Sequence, residues 1–176
     1  MYYQLRIATE QDVPAINAFL EKGQAKGGVT LAERTAFVVM EDADSQLAGC
    51  LGLEQLNEQE GLLRSLIISD KLGQGHIVSL FQSVQTLGEK MGVDTFYVVA
   101  NHSSSHDFLA LMGFTPLKEI PESIWRSAHA KETLGKEQAV VLQKKKAVNH
   151  KMMDLYTYLS TTKQALSTNC GQRLFY

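Results

Sequence analysis

At 176 residues, 44% hydrophobic and 20% charged, the chain has the size and composition of one globular domain, or one domain with an appendage. A net charge of −2 excludes the global basic field that favours nucleic acid or an anionic membrane, and two cysteines, Cys50 and Cys170, are too few for a disulfide framework. The longest apolar runs fall short of a membrane span and the N-terminus reads as a strand, not a signal peptide, so the chain is read as soluble and cytoplasmic.

Tyr3, Leu5 and Ile7 alternate with Gln4 and Arg6 at the period of a half-buried strand. Thr9 and Asp12 have capping-box spacing, and Val13, Ile16, Phe19 and Leu20 form the apolar face of the helix that follows. Pro14 confines that helix's start to its own first turn. Gly23, Gly27 and Gly28 end the helix, and Gly23 to Arg34 is expected to be mobile. Ala36–Met40, Leu47–Leu53 and Leu62–Ile68 then read as three strands in meander, separated by turn chemistry at Glu41–Ser45 and Asn57–Gly61. The third is apolar on both faces except for Arg64 and Ser65, the mark of a central strand.

After Gly73-Gln74-Gly75 the period becomes helical, with Ile77, Leu80, Phe81, Val84, Leu87 and Met91 on one face and Gly92 as the stop. Thr95–Ala100 is strongly β-prone and should lie parallel to Leu62–Ile68, joined to it in a right-handed βαβ unit. Asn101–Ser105 is a loop ending in a cap. A short helix to Met112 follows, then Gly113, a strand at Phe114–Leu117, a short helix or loop within Ile120–Leu134, and a last strand at Gln138–Lys144. From Ala147 a stripe of Met152, Leu155, Tyr156 and Leu159 sets residues 147–176 apart, as a helical extension of a domain spanning 1–146. A strand that stops at a glycine turn and opens a helix offers backbone N–H groups to an anion, and a crevice forms where parallel neighbours part.

The order of elements, the glycine turn after the central strand, Asn101 after the next strand and the phrase Met112-Gly113-Phe114 together resemble the GNAT superfamily of acetyl-CoA-dependent N-acetyltransferases over about residues 1–145. The resemblance implies an α/β (α+β) acyl-CoA N-acyltransferase fold: a mostly antiparallel mixed sheet with one central parallel βαβ step, flanked by helices. Gly52-Leu53-Glu54 followed by Leu62-Leu63-Arg64-Ser65-Leu66 is similar to the small amino-acid-type members. The superfamily's pyrophosphate motif, Q/R-x-x-G-x-G/A, aligns with Leu72–Ile77: Gly75 matches, whereas Leu72 and Ile77 depart from it. Acetyl-CoA is implied as co-substrate. Its pantetheine arm would lie on the backbone of Leu66, Ile67 and Ile68, and its diphosphate on Gly73, Gln74, Gly75, His76 and Ile77. Phe108 would lie beside it, and Asn101 would either hold pantetheine or cap the next helix. The position of the superfamily's usual acidic Tyr holds Leu109.

Acylation of an amine requires its ammonium to lose a proton, which points to a carboxylate base. Glu54 is the candidate, placed by strand alternation on the face opposite Leu53 near the crevice end of its strand; a solvated strand-end Glu is the plainer reading. Arg64 needs a partner in an apolar strand, and either pairs with Glu54 or holds a substrate carboxylate bidentately, with Arg34 and Arg126 as further candidates for that job. No Cys or Ser is placed as a nucleophile, so direct transfer to a small-molecule primary amine, an amino acid or similar metabolite, is expected. His102 and His106 stand four apart, but no acidic or Cys cluster completes a set, so no metal is expected. Neither nucleic acid nor membrane is expected as a partner, and a homodimer formed through the extension stays open. Two rival readings are a non-catalytic CoA-binding or regulatory module and a protein-interaction domain on the same fold.

Overall fold

The structure, a computed structural model, describes residues 2–23, 29, 31, 34–101 and 103–146. The proposed contact stripe Met152–Leu159, the extension that carries it, Cys170 and His102 lie outside these residues, as does most of the segment between Gly23 and Arg34.

In chain order the elements are β1 (Tyr3–Ile7), a 3-10 turn (Glu10–Asp12), α1 (Val13–Lys22), β2 (Thr35–Asp42), β3 (Leu47–Gln55), β4 (Glu60–Ile68), α2 (Gln74–Lys90), β5 (Thr95–Ala100), α3 (Ser103–Leu111), β6 (Thr115–Pro116), a second 3-10 turn (Glu122–Arg126), α4 (Ala128–Leu134) and β7 (Val140–Lys145). The strands form one seven-stranded sheet in the order β1-β2-β3-β4-β5-β7-β6. Every neighbouring pair is antiparallel except β4 and β5, which run parallel around α2 as the hydrophobic periods predict. This is the GNAT acyl-CoA N-acyltransferase fold. Several boundaries differ from expectation: β2, β3 and β4 run longer, α3 starts within the expected Asn101–Ser105 loop, β6 is only Thr115–Pro116, and the last strand starts at Val140, not Gln138, because Gln138 sits at φ 64°, outside the extended region.

Strand alternation divides the core. Leu51 and Leu53 of β3, Leu63 of β4 and Phe96 and Val98 of β5 face α2 and α3, where Phe81, Phe108 and Phe114 pack edge to face. The opposite face carries two separate clusters. One packs Phe37, Val39 and Cys50 under Ile16 and Leu20 of α1, and the other packs Leu62, Tyr97, Val99 and Val141 under Ile124 and Ala130.

Arg6 ties the N-terminal elements together. Its Nη1 and Nη2 donate to both oxygens of Asp12 at 2.7 Å, and its Nε and Nη2 donate to Glu41 at 3.2 and 2.5 Å. Those bonds hold the Asp12 carboxyl well below the usual carboxylate range. Asp12 also accepts from Thr9 N–H at 2.7 Å, as the capping-box spacing predicts.

β4 contains a bulge. Gly52 pairs with Arg64 and Cys50 with Ile67, so two steps on β3 oppose three on β4. The extra residue is Ser65, whose φ of 57° is left-handed. Its effect is on parity: Leu66 and Ile68 join the cluster under α2, while Ile67 joins the cluster under α1. Cys50 Sγ lies 3.6 Å from the Ser65 carbonyl and donates to it. Full burial pushes the Cys50 thiol up to about 12, so it serves as a packing residue here and not as a nucleophile.

Two glycines give a contrast. A Cβ on Gly52 would stand 2.7 Å from the Phe37 ring, whereas one on Gly75 would meet nothing within 4 Å. Gly52→Ala should therefore destabilise the fold by about 1–3 kcal/mol through overpacking. Gly75→Ala should change it by no more than about 0.5 kcal/mol. Urea-unfolding midpoints of the two variants check this contrast.

Candidate functional site

The parallel pairing of β4 and β5 runs from Glu60–Thr95 to Leu63–Val98 and stops there. β5 stays paired to β7 as far as Ala100, and β3 stays paired to β4 as far as Ile68. The two central strands therefore part from Arg64 onward, and a crevice opens toward their carboxyl ends with the bulge on its β4 wall. Its far end is the turn into α2.

At that turn Gly73 is the N-cap, with φ −90° and ψ 176°. Its carbonyl accepts from His76 N–H at 3.1 Å and Ile77 N–H at 3.4 Å, and its own N–H donates to His76 Nδ1 at 3.0 Å. The His76 ring also packs edge-on to Tyr3, with centroids 4.8 Å apart. This revises the expected cradle. Gly73 N–H and His76 Nδ1 satisfy each other, and among the described residues the N–H groups of Gln74 and Gly75 are the donors left at the helix N-terminus. Gly75 is exposed with open space where a side chain would be, which suits close approach of a bulky anion to its N–H.

Other expected contacts fall differently. Ile77 and Phe108 are core residues, with Phe108 2% exposed and its ring packed edge to face on Phe81. Leu109 is wholly buried in the same cluster. Asn101, at the end of β5, has its Oδ1 buried without a hydrogen-bond partner among the described residues. An unpaired buried amide oxygen at the crevice end of a strand is an acceptor awaiting a donor. Lys144 and Lys146 are committed to structure: Lys144 Nζ donates to Gln85 Oε1 at 3.0 Å and Lys146 pairs with Glu89 at 3.3 Å. Among the described residues no three His, Cys, Asp or Glu side chains gather as a metal site.

On the sheet face away from α2, Glu54 and Arg64 lie in the gap between the α1 and α4 clusters. Arg64 Nη1 donates to Glu54 Oε2 at 2.8 Å, and both side chains are about four-fifths buried, at 18% and 20% exposure. Arg64 Nε is buried and has no partner among the described residues. The register corrects one expectation: Glu54 pairs with Leu62, on the closed side of the point where the strands part, and it is the Arg64 side chain that spans from the opening back to it. Arg34 and Arg126 are exposed; the Arg34 carbonyl accepts from Gln55 N–H at 2.7 Å, and Arg126 makes a loose surface pair with Glu122 at 3.8 Å.

Two further groups went unnoticed in the sequence. Ser127 is 1% exposed; its hydroxyl donates to Glu54 Oε2 at 3.1 Å and accepts from Ala130 N–H at 3.2 Å as the N-cap of α4. A Ser ahead of Ala128-His129-Ala130 is a legible cap signal, but nothing in the sequence links it to a residue on β3. The second is the Tyr97 hydroxyl, which donates to Glu60 Oε1 at 2.7 Å and lies under the second 3-10 turn. Burial and the Glu60 carboxylate push the phenol up to about 12. Burial pulls Glu60 upward, but hydrogen bonds led by the one from Tyr97, with Asn57 on the other oxygen, outweigh it and leave that carboxyl lowered.

No family model matches the chain. The uncharacterized protein YwlB of Bacillus subtilis strain 168 is 46% identical over 144 residues, which are 82% of this chain and 98% of that protein. Among solved structures, the Mycobacterium tuberculosis protein Rv2747 in complex with CoA superposes with a TM-score of 0.64 at 21% identity, covering 82% of this chain and 99% of that one. The N-acetylglutamate synthase of Neisseria gonorrhoeae, complexed with coenzyme A and N-acetyl-glutamate, gives 0.62 at 18% identity; 84% of this chain covers only 36% of that enzyme. A GNAT-family acetyltransferase of Staphylococcus aureus Mu50 gives 0.60 at 12% identity over 82% of this chain.

Because the Tyr97 phenol is raised above its ordinary value of 10.0 to about 12, its contribution to stability is complete below pH 10 and is lost as pH rises through about 12. Tyr97→Phe should remove that alkaline loss and, by taking the donor from Glu60 Oε1, lower stability near neutral pH by about 1–3 kcal/mol. Urea midpoints measured as a function of pH for both proteins read this directly.

Proposed function

From the premise that this chain belongs to the family of Bacillus subtilis YwlB and carries the GNAT fold, we propose that it is an acetyl-CoA-dependent N-acetyltransferase. Its acceptor is proposed to be the primary amine of a small carboxylate-bearing metabolite, an amino acid or a close analogue. The observation that carries the reading is the crevice between β4 and β5, with unfilled backbone donors at its far end and the buried Glu54–Arg64 pair at its base.

Acetyl-CoA supplies the acyl group as a thioester. Gln74 and Gly75 N–H would hold its diphosphate, the β4 edge from Leu66 to Ile68 its extended pantetheine, and Asn101 Oδ1 a pantetheine amide N–H. Leu72 and Ile77 are buried and anchor the turn, so the grip on the diphosphate rests on backbone donors instead of the superfamily's usual side chain.

Glu54 is proposed to take the proton from the acceptor's ammonium, directly or through one water, leaving the lone pair free to attack the thioester carbon. The C–S bond breaks as the C–N bond forms, and the thiolate takes its proton from solvent, since Leu109 has none to give. Arg64, with Nε unpaired, would hold the acceptor's carboxylate. An ion pair at the base of the cleft is complementary to a zwitterion: carboxylate toward Arg64, ammonium toward Glu54. Co-crystals of neighbouring folds with coenzyme A and with N-acetyl-glutamate support a site of this kind.

Two variants test the assignment. Glu54→Gln should lower kcat by at least about 100-fold, the usual worth of a positioned base, while calorimetry shows acetyl-CoA binding unchanged. Gly75→Glu should abolish acetyl-CoA binding by bulk and like charge while the protein stays folded. A thiol-release assay over amino acids, their decarboxylated amines and polyamines reads the acceptor. Equal rates with and without the acceptor's carboxylate would remove Arg64 from the scheme, and tight acetyl-CoA binding without turnover of any amine would favour a non-catalytic CoA-binding module.

A further inference from the structure

We infer that Ser127 is a positioning residue for Glu54, tying the base to the start of α4; this rests on the proposed role of Glu54. Glu54 Oε2 accepts from Arg64 Nη1 at 2.8 Å and from Ser127 Oγ at 3.1 Å. The two donors come from different directions in the fold, one from the adjacent strand and the other from a segment 73 residues away in sequence. A carboxylate with one oxygen held by two donors has its plane fixed, and the other oxygen, Oε1, is left as the acceptor for a proton.

Ser127 is suited to this role because it has no freedom of its own. It is 1% exposed, and its lone pair accepts from Ala130 N–H at 3.2 Å. A hydroxyl has one proton to donate, and with its acceptor side engaged by the helix that proton is aimed at Glu54. Ser123, at the second turn's start, and Ile124, wholly buried beneath it, seat this segment on the sheet. The turn and α4 thereby act as a rigid support for a side chain on β3. Arg64 can then turn toward an acceptor without releasing Glu54, since the carboxylate keeps its second donor.

The role separates from mere helix capping by choice of substitution. Glycine serves as an N-cap nearly as well as serine but has no hydroxyl, and threonine keeps both functions. In the full-length protein, Ser127→Gly should stay folded with a melting temperature lowered by no more than about 8 °C, since the cap is nearly conserved and Glu54 loses one of its two donors. It should leave KM for acetyl-CoA unchanged and lower kcat by about tenfold, the scale of a misoriented catalytic group. Ser127→Thr should restore kcat to within about threefold. A Ser127→Gly protein with wild-type kcat, alongside an inactive Glu54→Gln protein, would overturn the positioning role alone. Loss of kcat, acetyl-CoA binding and melting temperature together, with no rescue by threonine, would mean that Ser127 is structural only and would also overturn it. Wild-type turnover by Glu54→Gln would overturn the base assignment and this inference with it.

Discussion

The extra residue in β4 constrains more of this molecule than any other single feature. Were Ser65 an ordinary pleated residue, the alternation begun at Leu62 and Leu63 would carry Leu66 to the face under α1 and Ile67 to the face under α2. With the bulge, Leu66 and Ile68 complete the cluster beneath α2, and Ile67 reaches across to α1. The left-handed backbone at a non-glycine residue is a local cost, offset by correct burial of three large side chains on two faces. The bulge lies just past the last paired residues of β4 and β5, Leu63 and Val98, so the parity switch and the parting of the strands occupy the same stretch of chain.

That arrangement sorts the chemistry by side. The crevice ends at the N-terminus of a 17-residue helix, where the N–H groups of Gln74 and Gly75 have no acceptor among the described residues. The opposite face has its apolar cover in two pieces, one under α1 and one under α4, and the gap between them holds the partly desolvated Glu54–Arg64 pair. Removing either partner of such a pair strands the other, so the pair is costly to interrupt and its geometry is held. Ser127, at the start of α4, adds a second donor to Glu54. The proposed diphosphate donors and the proposed acceptor-binding pair thus flank the stretch where two strands part, and this arrangement supports the acetyl-transfer reading over a pure interaction domain.

Much of the architecture was legible in the sequence because it is written in periods. Alternation at Tyr3–Ile7, the unbroken apolar run at Leu62–Ile68 and the helical stripe from Ile77 to Met91 placed the elements, and the glycine turn placed the crevice. Three things were not legible. The bulge was hidden because Ser65 looks like any polar interruption, and only the pairing register exposes the extra residue. The pairing of Gly73 N–H with His76 Nδ1 depends on a side-chain rotamer, which no motif encodes. Ser127 and Glu54 meet through a long-range contact between a loop and a strand, with no local signature of either partner. Glu54 and Arg64 were legible as an interrupted strand seeking compensation, but whether Arg64 meets a substrate as well as Glu54 is a question of function that sequence periodicity does not reach.

The central claim is that CoA lies between β4 and β5 with its diphosphate at the start of α2. Backbone amide NMR of the full-length protein titrated with CoA tests it most directly. The account predicts the largest shifts at Gln74 and Gly75, a second set along Leu66–Ile68, and a side-chain amide shift at Asn101. Shifts confined to the groove between β1 and the opposite flank of α2, around Leu5, Ser83 and Leu87, or no shifts at saturating CoA, would contradict it.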